Sequence, residues 1–235
     1  MAYPAFRAAG ALTNIPIAGG GNGNLPKPAG TAENDFLLLL FESTTGSTVA
    51  TLNLPSGFTL GDIENNGAFD NGFAWAWKIA GASEPSTYPL SQATSSSSTA
   101  RAVMLAYSSV DTSTPIDATG DLLGDTSNDT TVALADVTTT VAETLLIQLP
   151  WEYKTRTRTY TAGGSASLDW ESNAAGFSFA AISEQIASAS SVTGRTATAS
   201  AAGQFKTFAL ALRGTGGGGG SAVAALMNHY RRRRA

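Results

Sequence analysis

Short apolar stretches recur from about residue 35 to residue 212, each bounded by Gly, Pro, Asn, Asp or Ser, and this pattern constrains the fold most. Around residues 72–79 the large aromatics Phe73, Trp75 and Trp77 alternate with small or polar residues. Because side chains alternate between the two faces of a strand, these rings should share one buried face. Many short strands separated by turn signals predict an all-β, antiparallel sandwich or barrel.

The charge of the chain is low and uneven. Charged residues make up 14% of its 235 residues, against roughly 25% in an average soluble domain. Four of the 14 basic residues lie at positions 231–234, which leaves 10 basic against 18 acidic residues elsewhere. The body is therefore acidic and is not expected to bind nucleic acid, whereas the basic end is expected to meet a negatively charged partner.

Several residue types that enzymes use are missing or misplaced. There is no cysteine, and the single histidine, His229, lies beside the terminal arginines. These facts exclude thiolate ligands and a Ser-His-Asp triad in the body, so we expect no enzymatic activity, no metal and no cofactor. The longest apolar run, residues 36–41, is far too short to cross a bilayer, and residues 1–7 lack a signal-peptide pattern, so we expect no membrane partner.

Paired carboxylates offer one catalytic hypothesis. Asp169 and Glu171 flank Trp170, and in a regular strand both would point to the same side, as the two carboxylates of a glycosidase must. A solvated strand face opposite a buried Trp170 is the interpretation we favour.

A second acidic group could hold calcium. Four aspartates recur every fourth residue between positions 117 and 129, and oxygen-rich loops bind this ion. Their spacing does not match a calcium-binding helix-loop-helix, so a plain solvated loop is favoured. The group consists of Asp117, Asp121, Asp125 and Asp129.

A basic stripe and nearby aromatics are candidate contact residues. Lys154, Arg156 and Arg158 alternate with threonines, so in a strand the three cations share a face that could contact a glycan or a neighbouring subunit. The same stripe could instead protect an edge strand from unwanted pairing. Exposed aromatics would favour sugar stacking, and the candidates are Trp151, Tyr153 and Tyr160, which we expect mainly in the core or in subunit contacts.

Composition divides the chain into four segments. Residues 1–30 carry four prolines and a glycine-rich run, and predict an extended arm that a partner surface orders and that adds little to the core. Residues 31–214 form the predicted β domain. Residues 215–221 are a flexible Gly-rich linker, and residues 222–235 predict a short helical, Arg-rich docking tail.

The predicted tail helix has an apolar stripe and a basic end. Helices shorter than about 12–15 residues are marginal alone in water, so this one should dock on a partner. An acidic protein surface is the favoured target; nucleic acid and a merely solubilising tail are the alternatives. The stripe consists of Val223, Leu226, Met227 and Tyr230, and the basic end of Arg231, Arg232, Arg233 and Arg234.

A series of segments carries a family resemblance. In order, they are Pro28-Ala-Gly, residues 35–41, Pro55-Ser-Gly-Phe, residues 74–78, Glu84-Pro-Ser-Thr-Tyr, residues 104–111, Pro115-Ile-Asp, residues 143–147, Thr196-Ala-Thr and residues 208–214. Their order and spacing resemble a recurrent family of jelly-roll, lectin-like structural proteins of tailed phages. Members of that family occur as capsid decoration, head-fibre or minor tail proteins.

The resemblance implies a jelly-roll sandwich and no catalytic residues. It also implies a location in the virion, with other virion proteins as partners, and the arm and tail suggest attachment and homo-oligomer formation. The alternative function is a carbohydrate-binding module of a phage fibre, which would recognise a glycan on the host surface.

Overall fold

The computed structural model describes residues 2–16, 22–43, 51–66, 71–93, 100–152, 159–172 and 178–216. In these ranges every regular element is a strand and every strand pairing is antiparallel, which confirms the all-β prediction. The strands are β1 (Ala5–Ala9), β2 (Thr13–Ile15), β3 (Gly23–Pro26), β4 (Phe36–Ser43), β5 (Thr51–Asn53), β6 (Thr59–Asn66), β7 (Asn71–Ile79), β8 (Thr87–Ala93), β9 (Ala100–Ser108), β10 (Ile116–Thr119), β11 (Leu123–Ala133), β12 (Val137–Thr138), β13 (Thr144–Glu152), β14 (Tyr160–Ala162), β15 (Ser167–Ser172), β16 (Phe179–Ile186), β17 (Ser191–Val192) and β18 (Thr196–Arg213).

Two sheets face each other across the main core. The first sheet has the order β1-β9-β4-β7-β6, with β2 also paired to β9, and the second has the order β10-β18-β13-β16-β15, with β11 and β14 on β18. Aromatic rings meet between them: Phe73 stacks on Trp151 at 4.3 Å between ring centroids, and Trp75 lies 5.3 Å from Phe208. The described strands therefore form a β-sandwich.

The aromatic alternation in β7 behaves as the sequence predicts. Trp75 is only 4% exposed and Phe73 3%, both inside the main core. Trp77 points the same way but is partly exposed, and it stacks on Phe36 at 5.6 Å. Gly61 of β6 makes room for the Trp75 ring, since a Cβ at this position would lie 2.3 Å from it.

Strand β4 is buried on both faces, which explains its unbroken apolar sequence. Its inward side chains contribute to the main core, while Leu37, Leu39 and Phe41 point to the outer face of the first sheet. That outer face is covered by the small sheet of β3, β8 and β5, which adds Leu25 and Leu90. A strand enclosed by two layers needs no polar face, so it does not alternate.

The amino-terminal segment belongs to this fold. Strands β1 and β2 pair with β9, and β3 pairs with β8. Arg7 of β1 also forms a two-point ion pair with Asp35, with nitrogen–oxygen distances of 2.7 and 3.0 Å. The segment is extended as predicted, but strands of the same chain pair with it, contrary to the expectation that only a partner surface would order it.

The positions of its prolines explain why the sequence did not predict these three strands. Pro4 immediately precedes β1, Pro16 follows β2, and Pro26 is the last residue of β3. Proline cannot donate to a sheet ladder, but at strand ends that loss matters little. The prolines therefore mark the boundaries of three short strands.

The acidic region after residue 111 is also more regular than predicted. We expected a solvated loop over residues 117–129, yet β10 and most of β11 lie there, both paired with β18. The polar residues at 127–131 of β11 are all exposed, so this part of the strand has the composition of a loop. The predicted tail helix and the linker residues after Gly216 lie outside the described residues.

The strand ends define two poles of the sandwich. Ser43 of β4 pairs with Gly72 of β7 and with Ala100 of β9, and the Phe73–Trp151 contact places the end of β13 at the same pole. We call it the loop pole. At the opposite pole Ala2 forms a β-bridge with Thr215, so both ends of the described chain lie together. We call it the chain-end pole.

Candidate functional site

A groove of about 420 Å³ lies where β1, at the edge of the first sheet, faces β15 and β16 of the second. Strand β1 and the residue before it supply Pro4 and Phe6, while the second sheet supplies Asp169, Ser183 and other polar side chains. We call this cavity the Asp169 groove. It combines a partly apolar wall with a carboxylate and several hydroxyls.

A bulge in β15 points Asp169 into the sandwich. In the pairing with β16, Leu168 lies opposite Ile182 and Trp170 lies opposite Ala181, so Asp169 is the extra residue between them. Ala181 faces the main core, as does Trp170. Bulges commonly redirect a side chain in this way. Asp169 and Trp170 consequently both turn inward, although they are adjacent in sequence.

Two hydroxyls hold the Asp169 carboxylate. Tyr107 of β9 donates from its hydroxyl to Oδ2 at 3.2 Å, and Ser183 donates to Oδ1 at 2.8 Å. Burial raises the pKa of Asp169 to about 6, although both hydrogen bonds act to lower it. Burial also raises the pKa of Tyr107 well above its usual value, and the nearby Asp169 adds to this effect.

The paired-carboxylate hypothesis is wrong in its geometry. Glu171 lies opposite Ala180, which belongs to the outer face of the second sheet, and its Oε2 accepts a hydrogen bond from the backbone N–H of Tyr160 at 2.8 Å. The bulge places Asp169 and Glu171 on opposite faces. They therefore cannot flank one glycosidic bond.

Glu184, next to Ser183 in β16, lies opposite Leu146 of the outer face, so its side chain points away from Asp169. Arg195 binds Glu184 through two nitrogens at 2.7 and 2.9 Å, and the Ser165 hydroxyl donates to Oε1 at 2.7 Å. Hydrogen bonding to Arg195 lowers the pKa of Glu184, and burial opposes this shift. Glu184 therefore joins β16 to Arg195 and Ser165 on the outer side, whereas Asp169 lies on the groove side.

The other predicted contact residues lie elsewhere or outside the described residues. Trp151 and Tyr160 are buried, at 2% and 3% exposure, so neither offers a surface for sugar stacking. Tyr153 and the stripe of Lys154, Arg156 and Arg158 fall outside the described residues, as does the whole docking tail from Val223 to Arg234.

Two of the four aspartates considered for calcium have other roles. Asp117 is buried and binds Arg213 at 3.1 Å, and it also accepts from the backbone of Thr140 at 2.6 Å. Asp129 accepts from the backbone N–H of Thr131 within its own strand. Among the described residues no group of three or more metal-ligating side chains occurs.

A buried carboxylate at the loop pole was not predicted. Glu42, near the end of β4, is 1% exposed, and among the described residues neither of its side-chain oxygens has a hydrogen-bond partner. Burial raises its pKa well above the usual value; Arg101 counters this shift and Glu152 reinforces it. The sequence feature that could have identified this buried carboxylate is a glutamate directly after six apolar residues.

Ionisation of Asp169 should destabilise the fold. Because its pKa is raised, the group contributes most stability below the unfolded pKa of about 4, and this contribution is lost as pH rises through about 6. We expect Asp169→Asn to raise the free energy of unfolding by roughly 1–3 kcal/mol at pH 8 and by much less at pH 4.

Urea unfolding between pH 4 and pH 8 measures this difference. Asp121→Asn, at an exposed aspartate, is the matched control. An equal effect of Asp169→Asn at both pH values would refute the assignment.

Comparisons with known proteins do not identify a family for this chain. No protein-family model matches the chain, and no match was found among curated proteins or solved structures. In the described part of the chain, no helix is long and apolar enough to cross a membrane. The structure defines the protein as an antiparallel β-sandwich with the Asp169 groove between the edges of its two sheets.

Proposed function

We propose that this chain is a non-enzymatic structural protein of a tailed-phage virion, attached to the particle at its chain-end pole. The observation that carries the proposal is the bridge between Ala2 and Thr215, where the Ala2 N–H donates to the Thr215 carbonyl at 3.4 Å. Because the chain ends lie together, a tail after residue 216 would tether the sandwich at one pole. The loop pole would then face away from the particle.

Internal ion pairs support a structural role. Of the four ion pairs identified in the described ranges, three have acidic partners that are almost fully enclosed, with side-chain exposures of 0–4%. Such contacts fix strands rather than leave charges free for a substrate. The pairs are Arg7–Asp35, Lys78–Glu84, Arg195–Glu184 and Arg213–Asp117.

The segments that carry the family resemblance contain several of these partners. Lys78 and Tyr88 both donate to Glu84 Oε2 at 2.7 Å, which joins β7 to β8. Asp117 and Arg213 join β10 to the end of β18. The motifs therefore act in holding the sandwich together, as motifs of a structural family would. In this proposal the strands have jelly-roll connectivity.

Attachment is assigned to the segment after Gly216. Its glycine run gives reach, and its apolar stripe and four arginines are suited to another virion protein or to the acidic body of a sister subunit. A homo-oligomer on the particle surface is the arrangement we propose.

Association with particles tests the proposal. Virions purified from the strain that encodes the chain should carry the full-length protein through a density gradient, and a version lacking residues 217–235 should be depleted at least about tenfold. The matched control replaces Arg231–Arg234 by lysines, which keeps the charge and should keep most of the association. Absence of the full-length chain from the virions would refute the proposal, and normal occupancy of the truncated chain would refute attachment through the tail.

A further inference from the structure

We propose that the Asp169 groove is a binding site for a neutral saccharide, with the Asp169 carboxylate as the central acceptor for sugar hydroxyls. This site lies beside β1 near the chain-end pole, and sugar binding by the free chain does not depend on the attachment proposed above. It also differs from the aromatic and basic residues that the sequence suggested for a glycan. Four features of the groove lead to this ligand class.

The first feature is size. At about 420 Å³ the groove lies within the range of roughly 300–1,000 Å³ that small-molecule sites occupy. It is bounded by β1 on one side and by β15 and β16 on the other. One pyranose ring, with part of a second, fits a cavity of this volume.

The second feature is the unused hydrogen-bonding capacity of Asp169. A carboxylate has about four lone-pair positions, and Tyr107 and Ser183 each use one of them. Tyr107 donates from the protein interior and Ser183 from the groove wall, and together they hold the carboxylate in one orientation. The remaining positions are available to two hydroxyls of a ligand in the groove.

The third feature is the mixed character of the rim. Gln185 and Ser167 are exposed there, and each can both donate and accept hydrogen bonds. Pro4, Phe6 and Leu145 provide an apolar side. A sugar ring has the matching pattern, since hydroxyls surround its edge while its C–H groups form an apolar face.

The fourth feature is charge. Among the lining residues the Asp169 carboxylate faces the groove, whereas Glu184 is paired with Arg195 on the other face of β16, and the lining contains no lysine or arginine. Phosphorylated or sialylated sugars would be repelled, and the described residues offer no metal cluster that could bridge an anion to Asp169. The groove therefore favours uncharged saccharides.

Titration of the full-length chain with single sugars tests the site. The probes are the methyl glycosides of glucose, galactose and mannose, and N-acetylglucosamine, each added to isotope-labelled protein and followed by amide shifts. At least one probe should shift the signals of residues 165–169 and 183–185 in a saturable way. No saturable shift with any probe, or shifts confined to other residues, would overturn the proposal.

Variants separate binding from folding. Ser167→Ala and Gln185→Ala alter exposed rim groups and should each weaken binding by about threefold to tenfold. Asp169→Asn should weaken it by about tenfold or more, and a tenfold loss corresponds to about 1.4 kcal/mol. Asp121→Asn is the control and should bind normally. Unchanged affinity in all three groove variants would contradict the site.

The pH dependence of sugar binding and the occupancy of the protein on virions test the saccharide site separately from the proposed function. Affinity should fall as pH drops through about 6, because protonation of Asp169 removes an acceptor. Virions carrying Asp169→Asn should keep normal occupancy of the protein. If the full-length chain binds no sugar but occupies virions normally, the saccharide site is refuted and the structural proposal is not. If the chain binds sugar but is absent from virions, the structural proposal is refuted and the saccharide site is not.

Discussion

A chain that begins at Lys27 is expected to lose about 5 kcal/mol or more of its free energy of unfolding, since fully burying one aliphatic side chain contributes roughly 1.5–3 kcal/mol. The deletion removes β1, β2 and β3 together with Ile15 and Leu25, which are 3% and 0% exposed. It also leaves the β9 edge and part of the outer face of the first sheet uncovered. Such a loss approaches the whole stability of many domains.

Circular dichroism melts and urea unfolding of the two chains measure this effect. Arg7→Met is the point control, because it removes the ion pair to Asp35 but keeps all three strands, and it should cost about 1 kcal/mol. Melting of the truncated chain within a few degrees of the full chain would instead support the sequence prediction that residues 1–30 are dispensable for the core.

Asp117→Ala is expected to cost about 3–5 kcal/mol, because it leaves a buried arginine without its counter-ion. The side chains of Arg213 and Asp117 are 9% and 0% exposed. The substitution also removes the acceptor for the backbone N–H of Thr140. Urea unfolding at neutral pH measures the change in free energy.

The double variant Asp117→Leu/Arg213→Met is the informative control. Replacing both members of a buried ion pair by apolar residues is often close to neutral, so the double variant should recover much of the loss. Asp117→Asn keeps a hydrogen-bond acceptor and should fall between the two. A loss below about 1 kcal/mol for Asp117→Ala would show that the arginine finds water or another partner.

Local patterns in the sequence predicted the strands with clear periodicity. The spacing of Phe73, Trp75 and Trp77 identified the core face of β7, and apolar runs located β4, β9 and β13. These features depend on side-chain alternation and burial, which neighbouring residues determine. The pairing order of the strands depends on contacts between distant segments, so local pattern could not supply it.

The same distinction applies to the candidate site. Asp169 was singled out as a carboxylate beside Trp170, but its hydrogen-bond donors, Tyr107 and Ser183, lie 62 and 14 residues away. The bulge that separates it from Glu171 arises from the register between β15 and β16. A regular strand was assumed, and one extra residue reversed the conclusion about the pair.

The amino-terminal arm shows that composition alone does not determine whether a segment forms strands. Prolines and glycines before residue 30 indicated a segment without regular structure, yet short edge strands tolerate both residue types. The Arg7–Asp35 contact and the pairing with β9 are long-range interactions. Composition alone cannot distinguish an arm that awaits a partner from one that pairs with its own sheet.

The central proposal concerns where this chain lies and how it is oriented, and cryo-electron microscopy of purified virions tests it most directly. The density should contain the two-sheet sandwich on the particle surface, with Ala2 and Thr215 toward the particle and the end of β4 at Ser43 directed outward. Density that places the loop pole against the particle would contradict the orientation. Virions without any density for the sandwich, from a strain that produces the chain, would contradict the proposed function itself.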